Sequence, residues 1–397
     1  MVKLNGVNDA TRVYKYPGPN ITRLVSESCL AWKAHGSGAR IHPVTPKLLL
    51  LLVSLGACAY DANFESCTIQ CSANTGCPDG LSCGPEGLCR ASGTECNSAD
   101  GGIGTSPSCL NLAATCGAQG TDDCCSTAVQ IPGGSYYRSY DAAGDGMYPS
   151  MAYPATVNPF VLDKYEVTVG RFRKFVDAGK GTRADPPGTG AGARMLNGMT
   201  DQGGWVTAWN VNLPTDRAAL TAALKCDASL QTWTDAPGAD EELPINCVTW
   251  YEAFAFCVWD GGFLPTEAEW NFAATGGDEQ RAYPWSIPAS TLMIDCSYAN
   301  YDGCGAHPRG VGASSPKGDG KWGQSDLAGN IWEWALDWYA TPYSTTACDG
   351  CADLTTNVRR VNRGGGFSFP SSQLRSALRG FEVPTQPYST LGVRCAR

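Results

Sequence analysis

Leu264-Pro265-Thr266-Glu267-Ala268-Glu269-Trp270 is the stretch on which the fold is decided. Thr266 and Glu269, three residues apart, form a capping box. The threonine hydroxyl accepts from one orphan N–H at the helix start, and the glutamate carboxylate accepts from another. The helix carries Trp270, Ala273 and Ala274 and stops at Gly276-Gly277, where glycine takes the left-handed cap. A second box, Thr249-Trp250-Tyr251-Glu252, opens another helix, with Ala253, Phe256 and Cys257 at helical spacing. Further upstream, Phe160 to Thr168 reads as strand. Thr168 then caps a short helix with Phe172, Phe175 and Val176 on one face. Few helices, joined by connections rich in glycine (47) and proline (25), predict an α+β domain of low regular content.

The order of several such stretches points further. Phe160…Lys164-Tyr165-Glu166-Val167-Thr168 is followed by Pro244…Val248-Thr249-Trp250-Tyr251-Glu252-Ala253…Cys257 and by Leu264 to Trp270. Then come Tyr283-Pro284-Trp285, Asp326-Leu327-Ala328-Gly329-Asn330-Ile331-Trp332-Glu333-Trp334, Arg363-Gly364-Gly365-Gly366 and Gly392-Val393-Arg394-Cys395. This series resembles the formylglycine-generating enzyme, or sulfatase-modifying factor, family, over about residues 128–397. The resemblance implies a variant of the C-type lectin fold. It also implies an oxidase that converts a sulfatase cysteine to formylglycine. Relatives include non-haem iron enzymes of ergothioneine synthesis and members without an assigned role.

The family's oxidase holds copper(I) on two cysteines, five apart, in the loop after Arg-Gly-Gly-Ser. Soft thiolates suit that metal. In this chain the loop runs from Gly364 to Arg379 and contains no cysteine. Counted forward from the glycines, the two positions are Phe369 and Leu374. Counted back from Arg375, they are Gly366 and Ser371. Copper chemistry at this loop is therefore not expected. Non-haem iron needs two or three histidines, and from Cys58 onward there is one, His307. A Ser-His-Asp triad would have to be built around that same residue. Trp332, Trp334 and Trp338 read as core residues at helical or turn spacing.

The resemblance also implies a structural calcium. Its ligands would be the carboxylates of Asp326 and Glu333 and the carbonyls of Gly329 and Ile331, a set suited to a hard cation. A second family calcium would require Asn300, Tyr301 and a following Asp. The loop there is rebuilt around Cys296 and Cys304, with Asp302 at hand. The family's disulfide carries over as Cys257–Cys395, and a second family pair falls on Ala274 and Ser376, both without sulfur. By proximity alone, Cys226 pairs with Cys247 and Cys296 with Cys304. Cys348-Asp349-Gly350-Cys351 sits in a Thr/Asp/Gly-rich loop with no helix after it, which favours a structural bridge over a reactive pair.

Upstream, Lys47 precedes Leu48 to Leu52, and the run closes on Leu55-Gly56-Ala57-Cys58. It is too short to span a bilayer and long enough for an export-signal core. Leu-Gly-Ala-Cys resembles a bacterial lipobox, with Cys58 as the lipidated residue. Residues 1–43 are polar and unpatterned and are expected to be unstructured, so translation starting near Val44 is the expected reading, with residues 44–57 as signal peptide. Ten cysteines between Cys67 and Cys125 lie among Gly, Pro, Asp and Asn. Such a segment cannot bury its own apolar core and needs crosslinks. Residues 58–126 thus read as a small disulfide-rich, EGF-like module with a linker, followed by the large domain at 127–397. From Cys58 onward, 22 Lys and Arg stand against 36 Asp and Glu, a net charge near −14. No basic cluster is present to neutralise phosphates, which argues against nucleic acid.

The expectation is a cell-envelope protein, lipid-anchored at Cys58, in the outer membrane, periplasm or cell surface. Its C-type-lectin-like domain would be a non-catalytic binder, a pseudoenzyme, of a protein, peptide or glycan. The alternative is a formylglycine-generating oxidase working through other cysteines.

Overall fold

The structure, a computed structural model, describes residues 11–15, 22–26, 82–83, 89–90, 106–125, 130–343, 348–355 and 358–397. The expected signal segment, Cys58 and most of the Cys-rich module lie outside the described residues. The chain divides into two units, residues 1–65 and 66–397.

In the first unit, β1 (Thr11–Lys15) and β2 (Thr22–Ser26) pair antiparallel, Thr11 opposite Ser26. This corrects the expectation that residues 1–43 lack structure. Both runs carry β-branched residues, which favour extended backbone.

In the second unit, β3 (Ser82–Cys83) and β4 (Cys89–Arg90) form a short antiparallel pair. Next come β5 (Gly134–Tyr137), β6 (Pro154–Val157), α1 (Val169–Asp177) and the hairpin of β7 (Arg194–Leu196) and β8 (Met199–Gln202). Three further helices follow: α2 (Arg217–Ala223), α3 (Trp250–Trp259) and α4 (Glu267–Thr275). The remaining strands are β9 (Trp332–Trp338), β10 (Cys348–Asp349), β11 (Arg360–Arg363), β12 (Gly380–Glu382) and β13 (Leu391–Gly392). They form a three-stranded sheet in the order β10-β6-β5 and a four-stranded sheet in the order β12-β11-β9-β13. This is an α+β fold with modest regular structure.

The caps are where sequence places them. Thr168 accepts from the Arg171 N–H at the start of α1, and both capping boxes close, Thr249 with Glu252 and Thr266 with Glu269. Gly276 ends α4 in the left-handed conformation (φ 66°). Helices α1 and α3 pack through Phe172, Phe175 and Phe256. Tyr136 of β5 meets Phe272 of α4 edge-on.

Two local readings need correction. Phe160 to Thr168 is not a strand. It makes isolated bridges, Phe160 to Ile131, Leu162 to Ala396 and Thr168 to Pro244. Its partner changes at each contact, so no continuous ladder forms. Trp332, Trp334 and Trp338 lie on a strand, not at helical or turn spacing. Trp332 and Trp334 are core residues of β9.

The packed unit also reaches upstream of residue 127. Cys109 bonds to Cys125 and Cys116 to Cys124. Cys116 and Cys124 bury against Tyr165 and Val311. Ser108 N donates to Asp260 (2.9 Å), and Arg171 donates to the Ser108 hydroxyl (3.0 Å). Arg171 pairs with Asp163 at 2.9 Å and Asp260 at 2.6 Å, all three buried, and Arg397 joins both aspartates. A segment with few apolar side chains is thus held by bridges and buried charge. Elsewhere Cys226 bonds to Cys247, Cys257 to Cys395, Cys296 to Cys304 and Cys348 to Cys351.

Candidate functional site

The loop from Gly364 to Arg379 leaves β11 and returns to β12. Gly364 and Gly365 have φ of 102° and 78°, a region where only glycine is unstrained. At Gly365 a Cβ would stand 2.7 Å from the Gln373 carbonyl and 2.8 Å from the Leu374 side chain. The loop therefore folds back on its own glycine turn.

Phe369 precedes the single helical turn Ser371–Leu374, and Leu374 is its last residue. Phe369 is half-buried, and its ring meets Trp332 edge-on at 5.5 Å. Leu374 is fully buried with Tyr283, Ala299 and Ala328. The Tyr283 hydroxyl donates to the Ser371 carbonyl at 3.0 Å, and Asp302 N donates to the Phe369 carbonyl at 3.0 Å. In the other register, a Cβ on Gly366 would touch Trp332 and Phe369. An aromatic and an aliphatic side chain thus fill the space beside Trp332 and Tyr283. All twelve cysteines from Cys109 to Cys395 lie in six disulfides. His307 is exposed.

Around this apolar loop stands a frame of buried ion pairs. Glu267, at the first turn of α4, accepts from Arg363 at 2.6 Å and from Arg379 at 2.5 and 2.7 Å. Burial pushes its carboxyl up, but Arg379 and Arg363 outweigh that and hold it below the ordinary range. Arg375 forks onto Asp141 at 2.7 Å and reaches Asp145 at 2.8 Å. Asp337 accepts from the backbone N–H groups of Glu267 and Asp353. Burial, then the Glu267 charge, raises the Asp337 carboxyl to about 7.

The expected calcium ligands lie in one turn leading into β9. Asp326 adopts φ 60° and accepts from Gly312 N at 2.5 Å. Its carboxyl is raised to about 6, first by burial. Glu333, however, gives both oxygens to Arg394 and to the Trp270 indole (2.7 Å). Three N–H donors thus already take up most of this carboxylate's roughly four lone-pair positions, which leaves it a poor metal ligand. Glu166, which sequence reading did not single out, borders the same turn. Its oxygens accept from Asn330 Nδ2 (2.6 Å) and Ile331 N (3.2 Å). Burial, and then Asp326 and Glu333, push its carboxyl well up. Three buried carboxylates around one guanidinium leave surplus negative charge, which suits a cation. Asp326 fits such a cation, and Glu333 as paired here does not. Among the described residues no three His, Cys, Asp or Glu side chains converge on a metal-sized point. Asn300 is buried, and its Oδ1 has no partner among the described residues.

The profile of the family described as "Sulfatase-modifying factor enzyme 1-like domain" matches residues 115–397. The chain is 30% identical over 292 residues to the formylglycine-generating enzyme of Mus musculus, covering 68% of this chain and 74% of that protein. It is 29% identical over 291 residues to the inactive Cα-formylglycine-generating enzyme 2 of Bos taurus, covering 68% and 87%. Among solved structures, PvdO from Pseudomonas aeruginosa aligns over 68% of this chain and 93% of its own, at 20% identity and a TM-score of 0.46. From the family match and the ordered motifs that build this frame, the chain belongs to the sulfatase-modifying factor, or formylglycine-generating enzyme, family.

Proposed function

We propose that this domain is a non-catalytic binding or scaffold member of its family, anchored in the cell envelope through a lipid on Cys58. The observation that carries this reading is the loop itself. Counted forward from the glycines, the resemblance puts the copper-ligand positions at Phe369 and Leu374, which pack on Trp332 and Tyr283; counted back from Arg375 it puts them at Gly366 and Ser371, again without sulfur. Relatives named active and inactive match at 30% and 29% identity, so overall similarity does not discriminate and the loop must. A side chain without a thiolate gives copper(I) no soft ligand.

A calcium ion at Asp326, with the carbonyls of Gly329 and Ile331, belongs to the same reading as a structural element. The surplus charge of Glu166, Asp326 and Glu333 supports it, and Glu166 replaces Glu333 as the second carboxylate. The disulfide-rich, EGF-like segment upstream would act as spacer between anchor and domain.

The test is a copper(I) titration of the full chain against a chromophoric chelator, with free thiols alkylated and mapped by mass spectrometry under non-reducing denaturation. The reading expects no copper transfer to residues 106–397 and no alkylated cysteine there. Two alkylated cysteines in the domain, with one copper taken up, would favour the alternative, a formylglycine-generating oxidase. Cys348 and Cys351 would be its first candidates, and their bridge would have to open.

A further inference from the structure

We infer that the surface hollow between β5 and the turn after α4 is a binding site for a cationic side chain, arginine or lysine, of a partner polypeptide. The hollow has a volume of about 450 Å³, and its wall includes Tyr137, Tyr140, Met151, Asp278, Glu279 and Gln280.

The site is built, beginning with Gln280. That residue ends a one-turn helix in the left-handed region (φ 54°) and is buried. Its side-chain amide clamps the end of β5. The Oε1 accepts from Tyr137 N (2.5 Å), and the Nε2 donates to the carbonyls of Tyr137 (3.2 Å) and Tyr140 (3.0 Å). Its own carbonyl accepts from Ala142 N at 2.8 Å. Two tyrosines are thereby fixed to the same turn that carries Asp278 and Glu279. Strand alternation does the rest. Tyr136 points inward, 3% exposed, and Tyr137 outward, 38% exposed. The rings of Tyr137 and Tyr140 meet edge-to-face with centroids 6.2 Å apart, and Met151 is 51% exposed.

The chemistry selects a cation. Every charged residue on the wall is acidic. Glu279 pairs with Arg281 (2.6 Å) and Lys321 (2.8 Å). The Asp278 carboxylate and both tyrosine hydroxyls have no hydrogen-bond or ion-pair partner among the described residues. A tyrosine face attracts a cation through its quadrupole, and a nearby carboxylate adds to the attraction. The thioether of Met151 adds a polarizable, adaptable contact for an alkyl stem. This inference rests on the reading of the domain as a binding module, and it does not involve the loop at 364–379.

The test is a calorimetric titration of the full chain with the blocked tripeptide Gly-Arg-Gly, its lysine analogue, and the citrulline analogue, which keeps the shape and removes the charge. A chitin-derived oligosaccharide is titrated alongside. The arginine and lysine peptides are expected to bind about tenfold more tightly than the citrulline peptide and to weaken with added salt. Tyr137→Leu and Asp278→Asn, both at exposed positions, are each expected to weaken binding about three- to tenfold. Equal affinity for arginine and citrulline peptides would overturn the proposal. So would binding of the oligosaccharide alone. Cationic binding unchanged in both variants would overturn the site but leave the binding-module reading standing, because that reading fails on the copper and thiol measurement instead.

Discussion

The frame around the loop and the loop itself follow opposite rules. The frame is charge-locked. Glu267 holds Arg363 and Arg379, Asp260 holds Arg171 and Arg397, and Glu333 holds Arg394, nearly all of it buried. The loop between Gly366 and Leu374 is apolar where the family keeps its thiols. On the proposed reading, family resemblance is carried by residues that build the fold, while the family's copper chemistry would rest on two loop positions that hold no thiol here. Fold and function would then separate within a span of about ten residues.

The comparison is broken most severely by removing what holds the frame. Replacing Cys257 and Cys395 by alanine opens a bridge spanning 138 residues and should cost about 5 kcal/mol, against about 2 kcal/mol for Cys348 and Cys351, which are 3 apart. Thermal unfolding of the two double variants measures the contrast. Glu267→Ala strands two largely buried guanidinium groups and should cost about 3–5 kcal/mol, read as lost secondary-structure signal at lower temperature.

Glu252 offers a pH handle on the same frame. Burial raises its carboxyl to about 7 against an ordinary 4.5. The folded state therefore binds this proton more tightly than the unfolded chain. The associated stability is full below about pH 4.5 and is lost as pH rises through about 7, a change of roughly 3 kcal/mol. Glu252→Gln can still accept from Thr249 N. It should flatten that slope and stand above the parent protein at pH 8, as denaturant titrations at pH 5 and pH 8 would show.

The smallest effect belongs to the loop. Phe369→Ala removes a half-buried ring from Trp332 and should cost about 1–2 kcal/mol. Tryptophan emission should shift while the unfolding transition stays cooperative. A loss as large as that of Glu267→Ala would mean that the loop is part of the frame.

The frame's local features were legible in sequence because their signals are local. Thr266 and Glu269, Thr249 and Glu252, and the glycines after α4 announce their own roles within a few residues. The missing thiols were legible whichever end of the loop is counted from, because neither Phe369 and Leu374 nor Gly366 and Ser371 supplies a sulfur. The buried ion pairs were not. Arg171 reaches Asp260, 89 residues away, and Arg397 reaches Asp163, 234 away, and no periodicity encodes such a pairing. Glu166 was missed beside Asp326 for the same reason. The packing of Ser106 to Cys125 was hidden because disulfides and charges, rather than an apolar stripe, hold it. Trp332 to Trp338 was misread because the strand is buried at every position but its last, so it carries no period-2 alternation to mark it.

The most direct test of the separation between frame and loop is a conversion assay. The full chain would be incubated with copper, oxygen, a thiol reductant and a sulfatase-type cysteine peptide, and the peptide followed by mass. The account predicts an unchanged peptide. Appearance of the aldehyde, trapped as a hydrazone at the cysteine position, would contradict it and show that the frame still carries the oxidase.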